Sequence, residues 1–512
     1  MTDGAIIDTV YGALVNLSHG MDYDLERFDC SKKSWGYKNT TEFMEKKMDF
    51  IRTMIRIAES CPILYGDGEY WLFDGRIYVK VREELIFAAY DQLMLKFKIA
   101  VMTGDRQTFK KYFADTIRFR NKLEPRHDVV AFDNGVLTLE DGVLHGFSPE
   151  FHVTYYHPYE YDPKARCVKW LNFLHEVLPD KNARMTLQMY LGLGLIDRGP
   201  VYNPCEGKDR AKVELCLILI GSGANGKSVI YNTAMGIFGK ERISGVDYDE
   251  LTAGGDEGMR ARRLLRGALF NWSSDSDSRT FGRKRSGVFK RIVSSESVTD
   301  RKIGEDVKEN DQMPYLIFNL NELPFPDDQS LGFIRRLQFI SFDVTIPKSR
   351  QNRNLSQELV REYPGIFNWV VRGARELKRR KFMFPPSEGS RRQVLKAQLN
   401  INPVLAWASA YQMRCEPLAR GEVGLYIPTC ELLDSLAKFC EDNNVEMVSK
   451  QMFGQTMSRI GTGFFKKRFK EGQRYLIYGC AEERLKEPFI IENEDMKVDY
   501  IEEKGTYIRE ED

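Results

Sequence analysis

Several things are missing from the sequence, and each absence removes a class of protein. No run of roughly eighteen apolar residues occurs, and the start, MTDGAIIDTVYG, lacks a basic stretch followed by an apolar core. Neither a membrane span nor a secretory leader is therefore expected. The nine cysteines are odd in number, scattered, and never spaced Cys-x-x-Cys. That argues against a zinc ribbon or a disulfide framework and points to a reducing cytosol. The six histidines show no metal-ligand spacing and receive no role. Net charge is nearly absent too: 75 Lys and Arg stand against 74 Asp and Glu, so any attraction to nucleic acid must come from local clusters. No repeat of about 20 to 50 residues appears, which removes solenoids and propellers.

What is present is a globular composition, 42% hydrophobic and 29% charged, over 512 residues, enough for several cores. The chain reads as an α+β region over 1–128, whose GEYWLFDGRIYVKV predicts a hairpin at Asp74-Gly75, and an α+β connector over 129–204. Residues 205–350 alternate short apolar strands with helices, so an α/β fold with a mainly parallel sheet covered on both faces is expected. A helical linker over 351–400 follows. Residues 401–481 read as helices, a basic helix and a strand pair around Gly472, the order of a winged helix. The end, 482–512, holds twelve acidic and five basic residues and reads as a solvated tail.

The strongest local signal is GSGANGKS, Gly221 to Ser228, after the apolar VELCLILI and before SVIYNTAMGIF. Phosphate oxygens need several N–H donors converging on one point, and Gly221, Gly223 and Gly226 let the backbone curl without Cβ interference. Ser222, Ala224 and Asn225 complete the loop, and the following helix N-terminus favours negative charge. Lys227 is expected to reach the β and γ phosphates and Ser228 to ligate Mg²⁺. ATP with Mg²⁺ is the expected cofactor pair.

An NTPase of this kind needs a carboxylate at the end of another strand, for Mg²⁺ and the attacking water. ALFNWSSDSD offers Asp275 and Asp277, of which Asp275, nearer the apolar run, is preferred, although Ser and Asp are also ordinary turn residues. YLIFNLNELP ends in Asn321, an amide able to contact water or γ-phosphate. In GFIRRLQFISF, Arg335 and Arg336 precede a strand, where they can serve as arginine fingers toward an NTP on a neighbouring subunit or as a surface ion pair.

Taken in order, GSGANGKS, ALFNWSSD, YLIFNLNELP and GFIRRLQFISF resemble the Walker A, Walker B, sensor and arginine-finger motifs of superfamily-three helicases, in the phage and plasmid primase-helicase branch. VVAFDNGVLTLEDG and LQMYLGLGL resemble that family's region before the helicase domain, and ELLDSLAKFCEDNNVEMVSKQMFGQTMSRIG its winged helix. The resemblance covers roughly Val129 to Cys480. It implies an AAA+ ATPase, a homo-oligomeric ring, most often a hexamer, and 3′ to 5′ movement on single-stranded DNA. By position it implies Lys227 and Ser228 as nucleotide and Mg²⁺ contacts, Asn321 as sensor, and Arg336, with Arg335, as finger. Two departures stand out. The family usually has Glu where this chain has Asp275, and VSSESVTDRK replaces its Gly-Gly-Asp turn, with Glu296 for the Asp and Arg301-Lys302 as the basic pair.

Local charge supports a DNA partner. From Arg279 to Lys302 there are eight basic and two acidic residues, among them Arg283, Lys284, Arg285, Lys290, Arg301 and Lys302. Ser458 to Arg474 adds six basic residues against one acidic, including Lys466, Lys467 and Arg468, interleaved with Phe464, Phe465 and Phe469. These phenylalanines are expected in the winged-helix core more than as base-stacking groups. The sequence reading is a replicative helicase of a phage, plasmid or other mobile element, acting on single- and double-stranded DNA. Its alternatives are a DNA-dependent switch or loader that does not unwind, and an origin-binding initiator with a degenerate ATPase site. The first 120 residues show neither a zinc-binding Cys cluster nor a catalytic carboxylate set, so primer synthesis is expected of a separate primase.

Overall fold

The structure, a computed structural model, describes residues 2–19, 52, 55–66, 68–96, 103–124, 126, 128–196, 213–274, 276, 281, 285–301, 306–310, 313–322, 331–418, 420–460, 463–480 and 482–488. The chain divides into two compact units, Met1–Tyr161 and Asp162–Asp512. Among the described residues, no helix is long and apolar enough to cross a membrane.

In the first unit, helices Asp3–His19 and Glu83–Lys96 and the strands Ile63–Gly66, Glu69–Phe73 and Tyr78–Val81 enclose a core containing Val10, Leu14, Tyr90 and Phe113. The hairpin expected at Asp74-Gly75 forms: Asp74 Oδ1 accepts from the N–H groups of Arg76 and Ile77, both at 2.9 Å, and Gly75 takes φ 101°. A second, four-stranded sheet contains Val129–Phe132 and Gly135–Thr138. Here Gly135 is required sterically, since a Cβ would lie 2.2 Å from the His145 carbonyl oxygen.

The second unit is built on a five-stranded sheet. Its strands are β1 (Cys216–Ile220), β2 (Ile243–Ser244), β3 (Phe270–Ser273), β4 (Tyr315–Leu320) and β5 (Leu337–Ser341), in the order β5-β1-β4-β3-β2. Every pairing is parallel. A parallel sheet exposes two apolar faces and needs both covered. Ile218, Ile220, Phe318 and Phe339 pack with Tyr248, Phe281, Phe289 and Phe333 on one side. Leu217, Leu219 and Ile317, one residue out of phase, are as fully buried on the other. That other side also holds the helix Lys227–Phe238, fixed to β3 by Tyr231 against Trp272 (5.5 Å between ring centroids) and Phe238 against Phe270 (5.1 Å).

This requirement recruits segments that the sequence reading placed elsewhere. The span 129–204, read as one connector, is shared: its strands lie in the first unit, while helices Val168–Val177 and Lys181–Gly192 pack in the second. Asp180 separates those helices, accepting from Asn182 N at 2.7 Å as an N-cap. Helix Tyr363–Arg379, in the span read as a linker, packs directly on Lys181–Gly192. The two backbones meet at glycines: a Cβ on Gly373 would lie 2.2 Å from the Gln188 carbonyl oxygen, and one on Gly192 would lie 2.4 Å from Ala374 N.

The C-terminal part of this unit has its own core around Trp407, Leu436, Phe439, Phe453 and Tyr475. Helices Pro403–Ala410, Thr429–Asp442 and Lys450–Met457 pack there with an antiparallel sheet ordered Leu425–Pro428, Gly472–Ile477, Lys466–Phe469. The strand pair expected around Gly472 forms between Lys466–Phe469 and Gly472–Ile477, with Gly472 at φ 126°, and of the three helices expected ahead of it from Ile427 on, the described residues hold two, Thr429–Asp442 and Lys450–Met457. The expected tail also begins later than 482: Leu485 enters this core and Tyr411 Oη donates to Glu487 O at 2.7 Å. Residues 489–512 lie outside the described residues.

Because the glycines of the helix pair touch backbone, which cannot move aside, Gly373→Ala is expected to cost about 1–3 kcal/mol. Denaturant unfolding of the variant checks this, and an unchanged midpoint would mean that the two helices can separate freely.

Candidate functional site

Position within the sheet singles out one end of it. β1 and β4 are neighbours, yet the connection leaving β1 runs to the β2 edge and the one leaving β4 runs to the β5 edge. Adjacent parallel strands whose connections part in this way leave a crevice at their carboxyl ends, where ligands bind in open α/β sheets. The segment Gly221–Ser228 lies there, directly after β1 and leading into the helix Lys227–Phe238.

The loop is pinned on both sides. Gly221 N donates to Leu320 O of β4 at 3.1 Å, and beyond β5 Phe342 N donates to Ile220 O at 2.7 Å and Ile346 N to Ala224 O at 2.9 Å. Left-handed backbone at Gly223 (φ 113°), Ala224 (φ 50°) and Gly226 (φ 85°) produces the curl, so the non-glycine Ala224 joins a conformation expected only of its neighbours. Gly226 also has no room for a side chain, because Phe173 from helix Val168–Val177 stands 2.7 Å from where its Cβ would be. Ser222, Ala224 and Ser228 are exposed, and Lys227 is 8% exposed with its ammonium donating to Gly221 O.

One atom tests whether this cradle suits an anion. Asn225 is only 3% exposed, and its Nδ2, which stands 2.1 Å from where a Gly221 Cβ would lie, has no hydrogen-bond partner among the described residues. A buried amide N–H without an acceptor is costly. Beside it, the first N–H groups of the helix lack intrahelical acceptors, and Ser228 presents a hydroxyl. This donor set fits the oxygen-rich phosphates of a nucleotide, with a hard divalent cation at Ser228.

The carboxylate position is framed by its neighbours. Asp275 and Asp277 lie outside the described residues, but Ser274 and Ser276 do not. Asn319 of β4 fastens both flanks: its Nδ2 donates to Ser274 O at 3.2 Å and its carbonyl accepts from Ser276 N at 3.1 Å, while its Oδ1 accepts from Trp272 Nε1 at 3.0 Å. Asp247 adds a second tie, accepting from the hydroxyls of Ser273 and Ser276. Neither Asn319 nor Asp247 stood out in the sequence. An amide inside the apolar run YLIFNL was the available signal, since a buried amide must find partners. Asn321, two residues on, is exposed at the bend beyond β4.

Arg335 and Arg336 occupy the opposite end of the sheet. Cys216 N donates to Arg336 O at 2.7 Å, so both arginines sit level with the amino end of β1. Five residues of strand, roughly 16 Å, separate them from the glycine loop of the same chain. Arg336 is held in place, its side chain 12% exposed, donating to Ser294 Oγ at 3.0 Å and Gly332 O at 2.6 Å and lying 3.7 Å from Glu214. Arg335 is exposed and lines a groove of about 430 Å³ with Glu214, Leu215 and Phe382.

The basic clusters are less uniform than their count suggests. Arg283, Lys284 and Lys302 lie outside the described residues. Arg285 is exposed beside Gly254, and Lys290 is half-buried on helix Ser286–Val293. Arg301 pairs with Asp256 at 3.0 Å, and Glu296 is exposed at 3.9 Å from Arg291. Arg301 directly follows the first strand of a hairpin, Val298–Asp300 with Lys308–Asn310, that the sequence reading missed. Asp300, at the loop end of the hairpin opposite Lys308 and 1% exposed, accepts from Arg266 Nε at 2.5 Å and Nη2 at 3.2 Å. Lys466, Lys467 and Arg468 are all exposed. Burial pushes the Cys216 thiol well above its usual range and the Cys61 thiol up to about 12, which suits packing and not nucleophilic chemistry.

Two family matches cover this chain in part. A family described as D5 N terminal like matches residues 63–179, and a family of unknown function, DUF5906, matches residues 219–336, from the glycine loop to Arg336. No curated protein matches the chain. Among solved structures, the A form apo structure of the NrS-1 C terminal region is similar at 10% identity and TM-score 0.42, covering 81% of this chain and 95% of that one. A second apo structure of that region is similar at 11% identity and TM-score 0.37, covering 82% and 96%. Scores of this size leave the architecture to be read from the chain's own strand order.

The two asparagines of β4 and its bend differ in burial, Asn319 being 3% exposed and Asn321 open to solvent. Asn319→Ala strands the buried Trp272 N–H and is expected to lower unfolding free energy by about 1–3 kcal/mol. Asn321→Ala, at an exposed position, is expected to stay within about 0.5 kcal/mol. Paired denaturation curves check both, and equal losses would assign the two amides the same role.

Proposed function

We propose that the chain is an ATP-dependent DNA helicase that works as a ring in the replication of a phage, plasmid or other mobile element, moving 3′ to 5′ as its sequence resemblance implies. The observation that carries this reading is the separation of the glycine loop from Arg335 by the length of β1. A phosphate cradle at one end of a subunit and an exposed arginine at the other make sense together when the arginine serves the nucleotide of a neighbouring subunit. The sheet order, the pinned loop and the unpartnered Asn225 amide support a P-loop core of AAA+ type. The helix, strand and hairpin order of 403–477 supports a winged helix.

In this reading the loop N–H groups and Asn225 bind the β and γ phosphates of ATP, and Lys227 leaves the Gly221 carbonyl to neutralise their charge. Ser228 and Asp275 would hold Mg²⁺, which would supply further charge neutralisation. Asn319 and Asp247 act as positioning residues by fixing the chain on either side of Asp275, and Asn321 is within the strand-end region where a water or the γ-phosphate is sensed. Arg335, not the tethered Arg336, is the finger that stabilises charge developing on the transferred phosphoryl group. Arg285, Lys290 and Arg301, together with Arg283, Lys284 and Lys302 of the same basic stretch of sequence, contact the DNA backbone, and Lys466, Lys467 and Arg468 add a contact in the C-terminal module.

Steady-state ATP hydrolysis, with and without single-stranded DNA, tests the proposal. Lys227→Ala and Arg335→Ala are each expected to lower turnover by 10³-fold or more, about what loss of a finger costs. Mixing the two is expected to restore part of it, because one mixed interface carries both native groups. Arg336→Ala is expected to lower thermal stability instead, through loss of its Ser294, Gly332 and Glu214 contacts. Full activity of Arg335→Ala, or no recovery on mixing, would overturn the shared site.

A further inference from the structure

The small sheet of the C-terminal module has an outer face that the core does not use. Register and the two-residue period of a strand fix which side chains share it. Lys467 pairs with Arg474, Phe469 with Gly472, and Tyr426 with Leu476, whose N–H donates to Phe465 O. Phe465, Lys467, Phe469, Arg474, Leu476 and Tyr426 therefore lie on one face, and Tyr475, Ile477 and Ile427 point into the core. Phe464 is buried as expected, but Phe465 is 56% and Tyr426 38% exposed, so one of the phenylalanines expected in the core stands in solvent.

Aromatic rings and cations are interleaved on this face. The Lys467 ammonium lies 5.6 Å and the Arg474 guanidinium 5.3 Å from the Phe469 ring, with Tyr426 edge-on to the same ring at 5.3 Å. Glu471 partly matches Arg474, at 2.8 Å, and is the one acidic residue between Ser458 and Arg474. By contrast, helix Lys450–Met457, the element that would enter a major groove in a winged helix, carries Lys450 as its only cation. Flat rings beside flexible cations suit unpaired bases and their phosphates, whereas a duplex keeps its base faces stacked internally.

We propose that this sheet face binds single-stranded DNA, with Phe465, Phe469 and Tyr426 stacking bases and Lys467 and Arg474 neutralising the backbone. Among the described residues of the face the one carboxylate, Glu471, is paired with Arg474, so DNA and not RNA is the proposed strand. The proposal shares a nucleic-acid partner with the function proposed above but uses neither the nucleotide site nor the hairpin.

The test is fluorescence anisotropy on the full chain without nucleotide, using oligo-dT, an abasic strand of equal length, oligo-U and a duplex. Oligo-dT is expected to bind about tenfold tighter than the abasic strand, and the Phe465→Ala/Phe469→Ala double variant to lose that advantage with its salt dependence unchanged. Lys467→Gln is expected to make the logarithmic salt slope shallower by about 0.7. Phe465→Leu, which keeps bulk without a ring, guards against a folding defect, and is expected to weaken oligo-dT as Phe465→Ala does. Equal binding of dT and abasic strands, preference for the duplex or for oligo-U, or loss of self-association in the double variant with DNA affinity intact would each overturn the proposal. ATP turnover is read separately, so failure here leaves the ATPase reading standing, and failure there leaves this one.

Discussion

All five side chains of β1 are buried, and the strand is parallel to both neighbours. A strand so placed cannot be satisfied by its own sheet, because each of its faces must be roofed by apolar helix surface. Much of the second unit follows from that demand. Helices 168–177, 181–192 and 363–379 are distant in sequence from the glycine loop, yet one of them puts Phe173 against Gly226 and the other two meet at glycines close enough for backbone contact. The roof and the loop are thus one construction: what covers the sheet also fixes the curvature of the segment that follows β1.

How much of this was legible depended on whether the cause was local. The glycine loop is a local object, with an apolar strand before it, positive-φ residues within it and a helix after it, and its placement follows the pattern. The hairpins at Asp74-Gly75 and Gly472 were legible for the same reason. The two-residue strand β2 and the three-residue strands of the 298–310 hairpin are too short for any periodic pattern to register. Tertiary cover is not local at all. The segments read as connector and linker show ordinary helical periodicity, and nothing in that periodicity says which sheet the helix will roof. Asn319 escaped attention because an amide inside an apolar run looks like an interruption, when its neighbours make it a clamp.

Charge was the hardest property to read from sequence, because counting treats every arginine alike. Arg336 is spent on Ser294, Gly332 and Glu214, and Arg266 on buried Asp300. Arg335, adjacent to Arg336 and chemically identical, is exposed. A difference of one position decides whether a guanidinium builds the subunit or faces outward, and only the register of β5 against β1 reveals which.

The placement of Arg335 and the glycine loop at opposite ends of one sheet also constrains symmetry. A two-fold dimer pairs residue i with j and j with i across a single shared patch, so it completes a site only if the loop and the arginine lie on that same patch. A head-to-tail contact pairs the two ends through two different patches. Such a contact either closes into a cycle, in which every loop has its arginine, or continues as an open filament in which one terminal loop always lacks one. The number of working sites would then equal the number of subunits in a closed cycle and fall one short of it in any open form.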